Sequence, residues 1–177
     1  MLVDSARRPH NAYSMHAKIY FTEFASPIGR LRLTGDGAAI TGVFMESERH
    51  DSIQARGAVR DAAPLREAQR QLEEYFAGER REFSLELAAA GTDFQRQVWQ
   101  ALREIPYGVT ASYGDIAKRI RNPNAVRAVG LANGRNPISI IVPCHRVIGA
   151  NGSLTGYGGG LERKSFLLAL EKRVVAQ

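Results

Sequence analysis

Ser112-Tyr-Gly-Asp115-Ile-Ala-Lys-Arg-Ile120-Arg-Asn122-Pro123-Asn124-Ala-Val-Arg127-Ala-Val-Gly130-Leu-Ala132 is the stretch on which the reading of the fold turns. Ser112 and Asp115 match a capping box, in which each side chain satisfies an orphan backbone N–H at a helix start. The helix they open runs through Ile120, with Ile116 and Ile120 one turn apart on its apolar face. Arg121–Asn124 is a tight break. Asn122 suits the N-cap and Pro123 the first position of a second helix, about Asn124 to Ala132. Two short helices around a four-residue break form a helix-turn-helix pattern. The second helix is rich in small residues and carries one long cation, Arg127. Such a helix fits close against a narrow surface such as a DNA minor groove, with the arginine entering the duplex beside a displaced base. The residues alone favour the plainer alternative of alanine-mediated helix packing and a solvated arginine.

Downstream, Asn133-Gly134-Arg135-Asn136-Pro137 leads into Ile138-Ser-Ile-Ile-Val142-Pro143-Cys144-His145-Arg146-Val147-Ile148. Ile138–Val142 predicts a short buried strand, stopped by Pro143, which cannot donate to a ladder. Cys144 is the single cysteine of the chain. A lone cysteine is usually a buried small hydrophobe, but a following histidine and arginine favour the thiolate, the nucleophilic form. Side chains at adjacent positions diverge, so a bridging water is the expected relay from Cys144 to His145. Glu171 is the candidate acceptor that fixes the other imidazole nitrogen. Gly149–Leu161 holds six glycines in thirteen residues. That makes a mobile, closely approachable loop which matches neither a P-loop nor a dinucleotide fingerprint. Arg163–Val174 reads as a last helix burying Phe166, Leu167 and Leu170.

Upstream, Thr92 and Gln95 form another capping-box pattern, for a helix through Ile105. Phe94, Val98, Ala101, Leu102 and Ile105 mark its buried stripe, Trp99 reads as core, and Pro106-Tyr107-Gly108 ends it. Residues 18–24, 30–33 and 38–45 read as an antiparallel meander, with turn signals at Ser26-Pro27-Ile28-Gly29 and Gly35-Asp36-Gly37. Residues 46–62 read as a charged loop. From Pro64, Leu65, Ala68, Leu72, Tyr75 and Phe76 fall at helical spacing before a Gly78 stop. Phe83–Leu87 reads as one more strand. Three segments follow: a flexible extension over 1–16, a scaffold domain over 17–90 and a functional domain over 91–177. Nothing in the first 90 residues looks catalytic.

The charge divides at the same boundary. Residues 1–90 carry 12 Lys/Arg against 13 Asp/Glu, and residues 91–177 carry 12 against 5. A basic C-terminal half points to a polyanion, nucleic acid being the commonest. No apolar run approaches the ~20 residues that span a bilayer. The polar N-terminus lacks a signal-peptide apolar region, and one cysteine forms no internal disulfide, so the expected location is the cytoplasm, or the nucleus in a eukaryote. A multi-cysteine zinc site is excluded.

Pro143-Cys144-His145-Arg146-Val147-Ile148 resembles the active-site signature of the O6-alkylguanine-DNA alkyltransferases. The resemblance extends through Arg127-Ala128-Val129-Gly130, Asn133-Gly134-Arg135-Asn136-Pro137 and Tyr157-Gly158-Gly159-Gly160 to Glu171. It covers most of residues 92–172, in order and at family spacing, while residues 18–87 match the family in layout only. It implies an α+β fold. An RNase H-like N-terminal α/β domain with a small antiparallel sheet would precede a mostly helical, winged-helix-like domain bearing the helix-turn-helix. The implied activity is irreversible, single-turnover transfer of an alkyl group from guanine O6, or thymine O4, in a flipped-out base of double-stranded DNA to Cys144. No cofactor or metal is needed for it, and the expected state is a monomer. Cooperative assembly on DNA stays open.

By the same resemblance, Cys144, His145 and Glu171 form a thiol–water–histidine–glutamate relay. Asn136 braces the active-site turn, and Tyr113 helps rotate the nucleotide and donates to the leaving guanine. Arg127 takes the flipped base's place, beside a DNA-contacting set of Ala125, Val126, Gly130 and Arg135. Val147, Tyr157, Gly158 and Gly159 would line the base pocket. Position 158 is glycine where some members have serine, so a side-chain donor to the alkylated oxygen is absent. Val126 stands where alanine is frequent, which alters groove contact. The rival readings are a non-catalytic damage-recognition protein of alkyltransferase-like type, which would lack the reactive cysteine, and a cysteine hydrolase. The hydrolase would bring its histidine from a distant segment and need an oxyanion hole.

Overall fold

The computed structural model describes residues 18–46 and 57–177. The extension expected over 1–16 and most of the charged loop expected over 46–62 lie outside the described residues. In the N-terminal half, β1 (Tyr20–Ser26), β2 (Gly29–Gly35) and β3 (Ile40–Met45) form the expected meander. Register places Phe24 opposite Leu31 and Leu33 opposite Val43, so one face carries the fully buried Leu31, Leu33 and Val43. The Ser26–Gly29 turn needs Gly29 at φ +102°, a conformation that a Cβ disfavours. A fourth strand, β4 (Val59–Arg60), lies parallel to β1, giving the order β3-β2-β1-β4. The charged loop thus hides an edge strand. Two exposed residues carry no period, and the pairing is dictated by the partner strand alone.

A 3-10 turn at Ala63–Leu65 leads into α1 (Arg66–Ala77), which buries Ala68, Leu72 and Tyr75 beneath the sheet's apolar face. Gly78 ends it in the left-handed region at φ +80°, its N–H bonding the Tyr75 carbonyl at 3.0 Å. The strand expected at Phe83–Leu87 is not one. This extended segment makes a single bridge, with Ile40 donating to the Glu86 carbonyl and accepting from Ala88, both at 2.8 Å. Its apolar residues pack on the core without a ladder.

The C-terminal half begins with α2 (Asp93–Arg103). Its capping box is complete: Gln95 N–H donates to Thr92 Oγ1 at 3.2 Å, and Thr92 N–H donates to Gln95 Oε1 at 2.9 Å. Thr92→Ala is expected to destabilise the protein by about 1 kcal/mol, visible as a lower urea midpoint at unchanged m-value. An unchanged midpoint would mean that solvent replaces the cap without loss. The helix stops at Arg103 rather than Ile105, although Ile105 is still buried in the turn that follows. Trp99 is core, as read, and its Nε1–H donates to the Ala132 carbonyl at 2.8 Å.

β5 (Ala111–Ser112) pairs parallel with β6 (Val147–Ile148). Ser112 caps α3 (Tyr113–Arg119), with both bonds of the box to Asp115 present. The second helix of the pair, α4, spans Val126–Gly134. It starts later than expected because Asn122–Ala125 forms a β-turn, closed by Ala125 N–H to the Asn122 carbonyl at 3.0 Å. Pro123 serves that turn's second position instead of the first helical one, and Ala125 caps α4 without a side-chain bond.

Ile138–Val142, expected as a strand, is a tight buried turn. Val142 N–H returns to the Ile138 carbonyl at 2.9 Å, and Ile140 sits at φ +73°. The segment touches the sheet once, through Val43 N–H to the Pro137 carbonyl and Ser139 N–H to the Val43 carbonyl. An unbroken apolar run reports burial, not extension, and a turn packed on all sides satisfies it equally. Cys144–Arg146 is one 3-10 turn. The last helix, α5 (Leu161–Val175), buries Leu167 and Leu170, but Phe166 is exposed. Leu167, one position on, takes the inward direction.

Candidate active site

The 3-10 turn sets the site because it spreads three successive side chains over different surroundings. Cys144 faces a small cleft, while His145 and Arg146 point inward to α5. His145 Nε2 lies 2.7 Å from Glu171 Oε1 with both side chains fully buried. Arg146 grips the same carboxylate, Nε to Oε2 at 2.9 Å and Nη2 to Oε1 at 3.0 Å. Its Nη1 donates to the Ile105 carbonyl at 2.7 Å, and its guanidinium lies 5.5 Å from the Tyr107 ring centroid. Gly108 N–H adds a donor to Oε2 at 3.0 Å.

Burial alone would raise the Glu171 carboxyl, but the hydrogen bonds and charges of His145 and Arg146 outweigh it and hold it at about 2. Glu171 is therefore an anion and a pure acceptor. Burial, joined by the Arg146 and Lys164 charges, lowers His145 below its ordinary value despite the pull of Glu171. A neutral imidazole beside an ionised carboxylate carries its proton on Nε2, which leaves Nδ1 as a lone pair. Nδ1 is buried and has no hydrogen-bond partner among the described residues. That atom has the character of a base.

Asn136 follows α4 and closes the turn around the thiol. Ile138 N–H donates to its Oδ1 at 3.0 Å, and its Nδ2 donates to the Val142 carbonyl at 2.9 Å and to Cys144 Sγ at 3.1 Å. A donor aimed at sulfur favours the thiolate. Asn133, Gly134, Asn136, Ser139, Cys144, Tyr157 and Gly158 line the cleft. Its volume is about 10 Å³, room for one water at most. The glycine loop is held shut over it. Tyr113 Oη donates to the Thr155 carbonyl at 3.3 Å, and the buried Lys164 Nζ donates to the carbonyls of Thr155 at 2.8 Å and Val147 at 2.6 Å.

Two residues expected in the base pocket, Val147 and Gly159, are not among those that line this closed cleft. Val147 is fully buried and offers its carbonyl to Lys164. Gly159 lies against β3, where a Cβ would stand 2.2 Å from Met45 Sδ. The candidate DNA face gathers on and beside α4. Val126, Arg127 and Arg135 are exposed, Ala125 and Gly130 are half-buried, and a Cβ on Gly130 would stand 3.8 Å from the Tyr113 ring.

Arg146, read from the sequence as a charge favouring the thiolate, grips Glu171 instead, and Lys164, Tyr75 and, on the exposed side of α4, Leu131 had no role in the sequence reading. Arg146 and Lys164 stood in plain view, but their partners are distant in the chain. Leu131 is the most exposed large apolar residue on α4, a signal that periodicity alone could have raised. Tyr75, on α1, donates its hydroxyl to Glu171 Oε1 at 2.8 Å.

Two family models match the chain. The 6-O-methylguanine DNA methyltransferase ribonuclease-like domain matches residues 19–89, and the DNA binding domain of the same family matches residues 93–173. A methylated-DNA–protein-cysteine methyltransferase of Methanosarcina acetivorans is 56% identical over 154 residues, 86% of this chain and 98% of that one. One of the same name from Mycobacterium leprae is 54% identical over 89% of this chain and 94% of its own. The crystal structure of Mycobacterium tuberculosis OGT in complex with DNA aligns with a TM-score of 0.83 at 53% identity, covering 88% of this chain and 94% of that chain.

Proposed function

The chain belongs to the 6-O-methylguanine DNA methyltransferase family, and on that premise we propose that it repairs alkylated DNA by taking the alkyl group from guanine O6 onto Cys144. The observation that carries this reading is the buried chain Cys144–His145–Glu171–Arg146, set in a closed cleft between the glycine loop and Asn136. His145 Nδ1, through a water, takes the thiol proton. The Asn136 amide steadies the thiolate, and Glu171 with Arg146 steadies the imidazolium that forms. The S–C bond forms as the C–O6 bond breaks, and the electron pair returns to the guanine. Tyr113, whose hydroxyl bonds the Thr155 carbonyl of the glycine loop, supplies a hydrogen bond or proton to the leaving base. The thioether does not hydrolyse, so each molecule reacts once.

A base stacked in a duplex cannot reach a cleft of this size, so the target nucleotide is flipped and the glycine loop parts to admit it. Arg127 fills the gap it leaves, with α4 in the minor groove and Val126, Gly130 and Arg135 against the backbone. The basic C-terminal half supplies the sequence-independent attraction to phosphate. No helix among the described residues is long and apolar enough to cross a membrane, and the place of action we propose is the cytoplasm, as a monomer on DNA.

The test is a duplex carrying a single O6-methylguanine, mixed with the protein and followed by peptide mass. One methyl on the peptide containing Cys144, stoichiometric and permanent, is the expected result. Binding without any mass change would sink the proposal in favour of a damage-recognition protein. Repaired DNA with an unmodified cysteine would point to a hydrolytic route.

A further inference from the structure

One of the hydrogen bonds that hold Glu171 comes from the N-terminal half. Tyr75 lies 96 residues earlier in the chain, yet its hydroxyl donates to Oε1 at 2.8 Å, the same oxygen that meets His145 Nε2 at 2.7 Å. The Tyr75 ring is fully buried. The ring meets Phe76 and Tyr107 edge-on, at centroid distances of 5.5 and 5.9 Å, and Phe83 at a tilt at 5.7 Å. Burial and the adjacent carboxylate hold its ionisation well above 10, so it keeps its proton and donates to Glu171.

We infer that Tyr75 is a positioning residue for alkyl transfer: it fixes the Glu171 carboxylate against the imidazole and draws off part of the negative charge that His145 meets. The inference rests on the role given to His145 above, and it makes the N-terminal domain part of the relay. Donors on one carboxylate oxygen share its charge, and Arg146 Nη2 also reaches Oε1 at 3.0 Å, so losing the Tyr75 hydroxyl strengthens those that remain, the imidazole's among them. Among the described residues, the charged groups acting on His145 are Glu171 and Lys164 from α5 and Arg146 from its own turn; Tyr75 from α1 bonds the Glu171 oxygen that meets the imidazole, and Tyr107, from the connection after α2, packs on Tyr75 and Arg146. Of these, Tyr75 is the one whose hydroxyl shares an oxygen with the imidazole and whose removal leaves every formal charge in place.

In Tyr75→Phe, Oε1 becomes the more basic partner of His145. The imidazolium is then better stabilised, and on acidification the neutral base persists only down to a higher pH. Single-turnover transfer to the full-length protein, measured against pH on an O6-methylguanine duplex, is expected to fall by up to about 3-fold on the acid side of the profile, the most that a half-unit shift produces. Its acid limb moves up by about half a unit. The His145 imidazole, titrated by nitrogen NMR, moves the same way. Phe76→Leu trims the neighbouring ring but keeps the hydroxyl. It is expected to lower the urea midpoint and leave both titrations in place. Tyr75→3-fluorotyrosine keeps the packing, strengthens the donor and should move the limb downward.

Coincident profiles for wild type and Tyr75→Phe, or an equal shift in Phe76→Leu, would overturn the inference. A wild-type protein that transfers no alkyl group would sink the repair reading instead, and the imidazole titration would still decide the role of Tyr75.

Discussion

Glu171→Gln is expected to unfold at a markedly lower urea concentration than wild type and to transfer alkyl groups about 100-fold more slowly or worse. The reason is the number of groups that depend on one carboxylate. Glu171 takes hydrogen bonds from His145, Arg146, Tyr75 and Gly108 with no exposure of its own. A glutamine keeps the shape and one acceptor oxygen, but it leaves the buried Arg146 without a counter-charge. Breaking a buried pair in this way costs about 3–5 kcal/mol. The imidazolium that forms as Cys144 ionises loses its partner as well.

The acid limb of stability tests the same pair. Glu171 is held at about 2 against an ordinary 4.5. A depressed carboxylate stabilises the fold fully above its ordinary value, and that contribution is lost as the pH falls from 4.5 towards 2. Wild type should therefore lose stability across that window, and Glu171→Gln should show a shallower slope there. Equal urea midpoints for the two proteins at neutral pH would show that the pair carries no net stability.

Arg127→Ala is expected to slow repair of O6-methylguanine in duplex DNA by about 10- to 100-fold, because holding a base out of the stack costs a few kcal/mol and the arginine offsets part of it. Reaction with the free base, which needs no flipping, should proceed at the wild-type rate. Arg127 is exposed on α4, so its removal leaves the core untouched and the two rates can be compared without a folding correction. Equal losses on duplex and free base would place Arg127 in the chemistry or the scaffold instead of the groove.

How far these sites could be read from the chain depends on how local their causes are. The capping boxes at Thr92 and Ser112 bond residues three apart, and both helix starts were legible. The meander was legible because its turns carry glycine and its strands alternate. Ile138–Val142 was not, since an apolar run says nothing of φ, and Ile140 in the left-handed region is imposed by packing around the site. The late start of α4 reflects a proline that suits two positions equally. β4 and the single bridge at Leu87 exist only because a partner strand lies beside them.

Within the site, Cys144 and His145 announce themselves as neighbours in sequence, and Glu171 was the one acceptor in reach on the last helix. Tyr75 could not be read, because an amphipathic helix shows which side chains are buried and not what their hydroxyls meet. Val147 and Gly159 were expected in the base pocket by resemblance. In the closed cleft, the Val147 carbonyl is taken by Lys164 and Gly159 lies against Met45.

A protein that reacts once has nothing to regenerate it, and stray electrophiles and oxidants compete with damaged DNA for the same sulfur. The narrow cleft answers that hazard. Cys144 is 4% exposed, and the space before it holds a single water at most. Oxidants and alkylating agents attack thiolates that they can touch. The latched glycine loop therefore acts as a seal that preserves the shelf life of the unused molecule and is broken by the arrival of a flipped base.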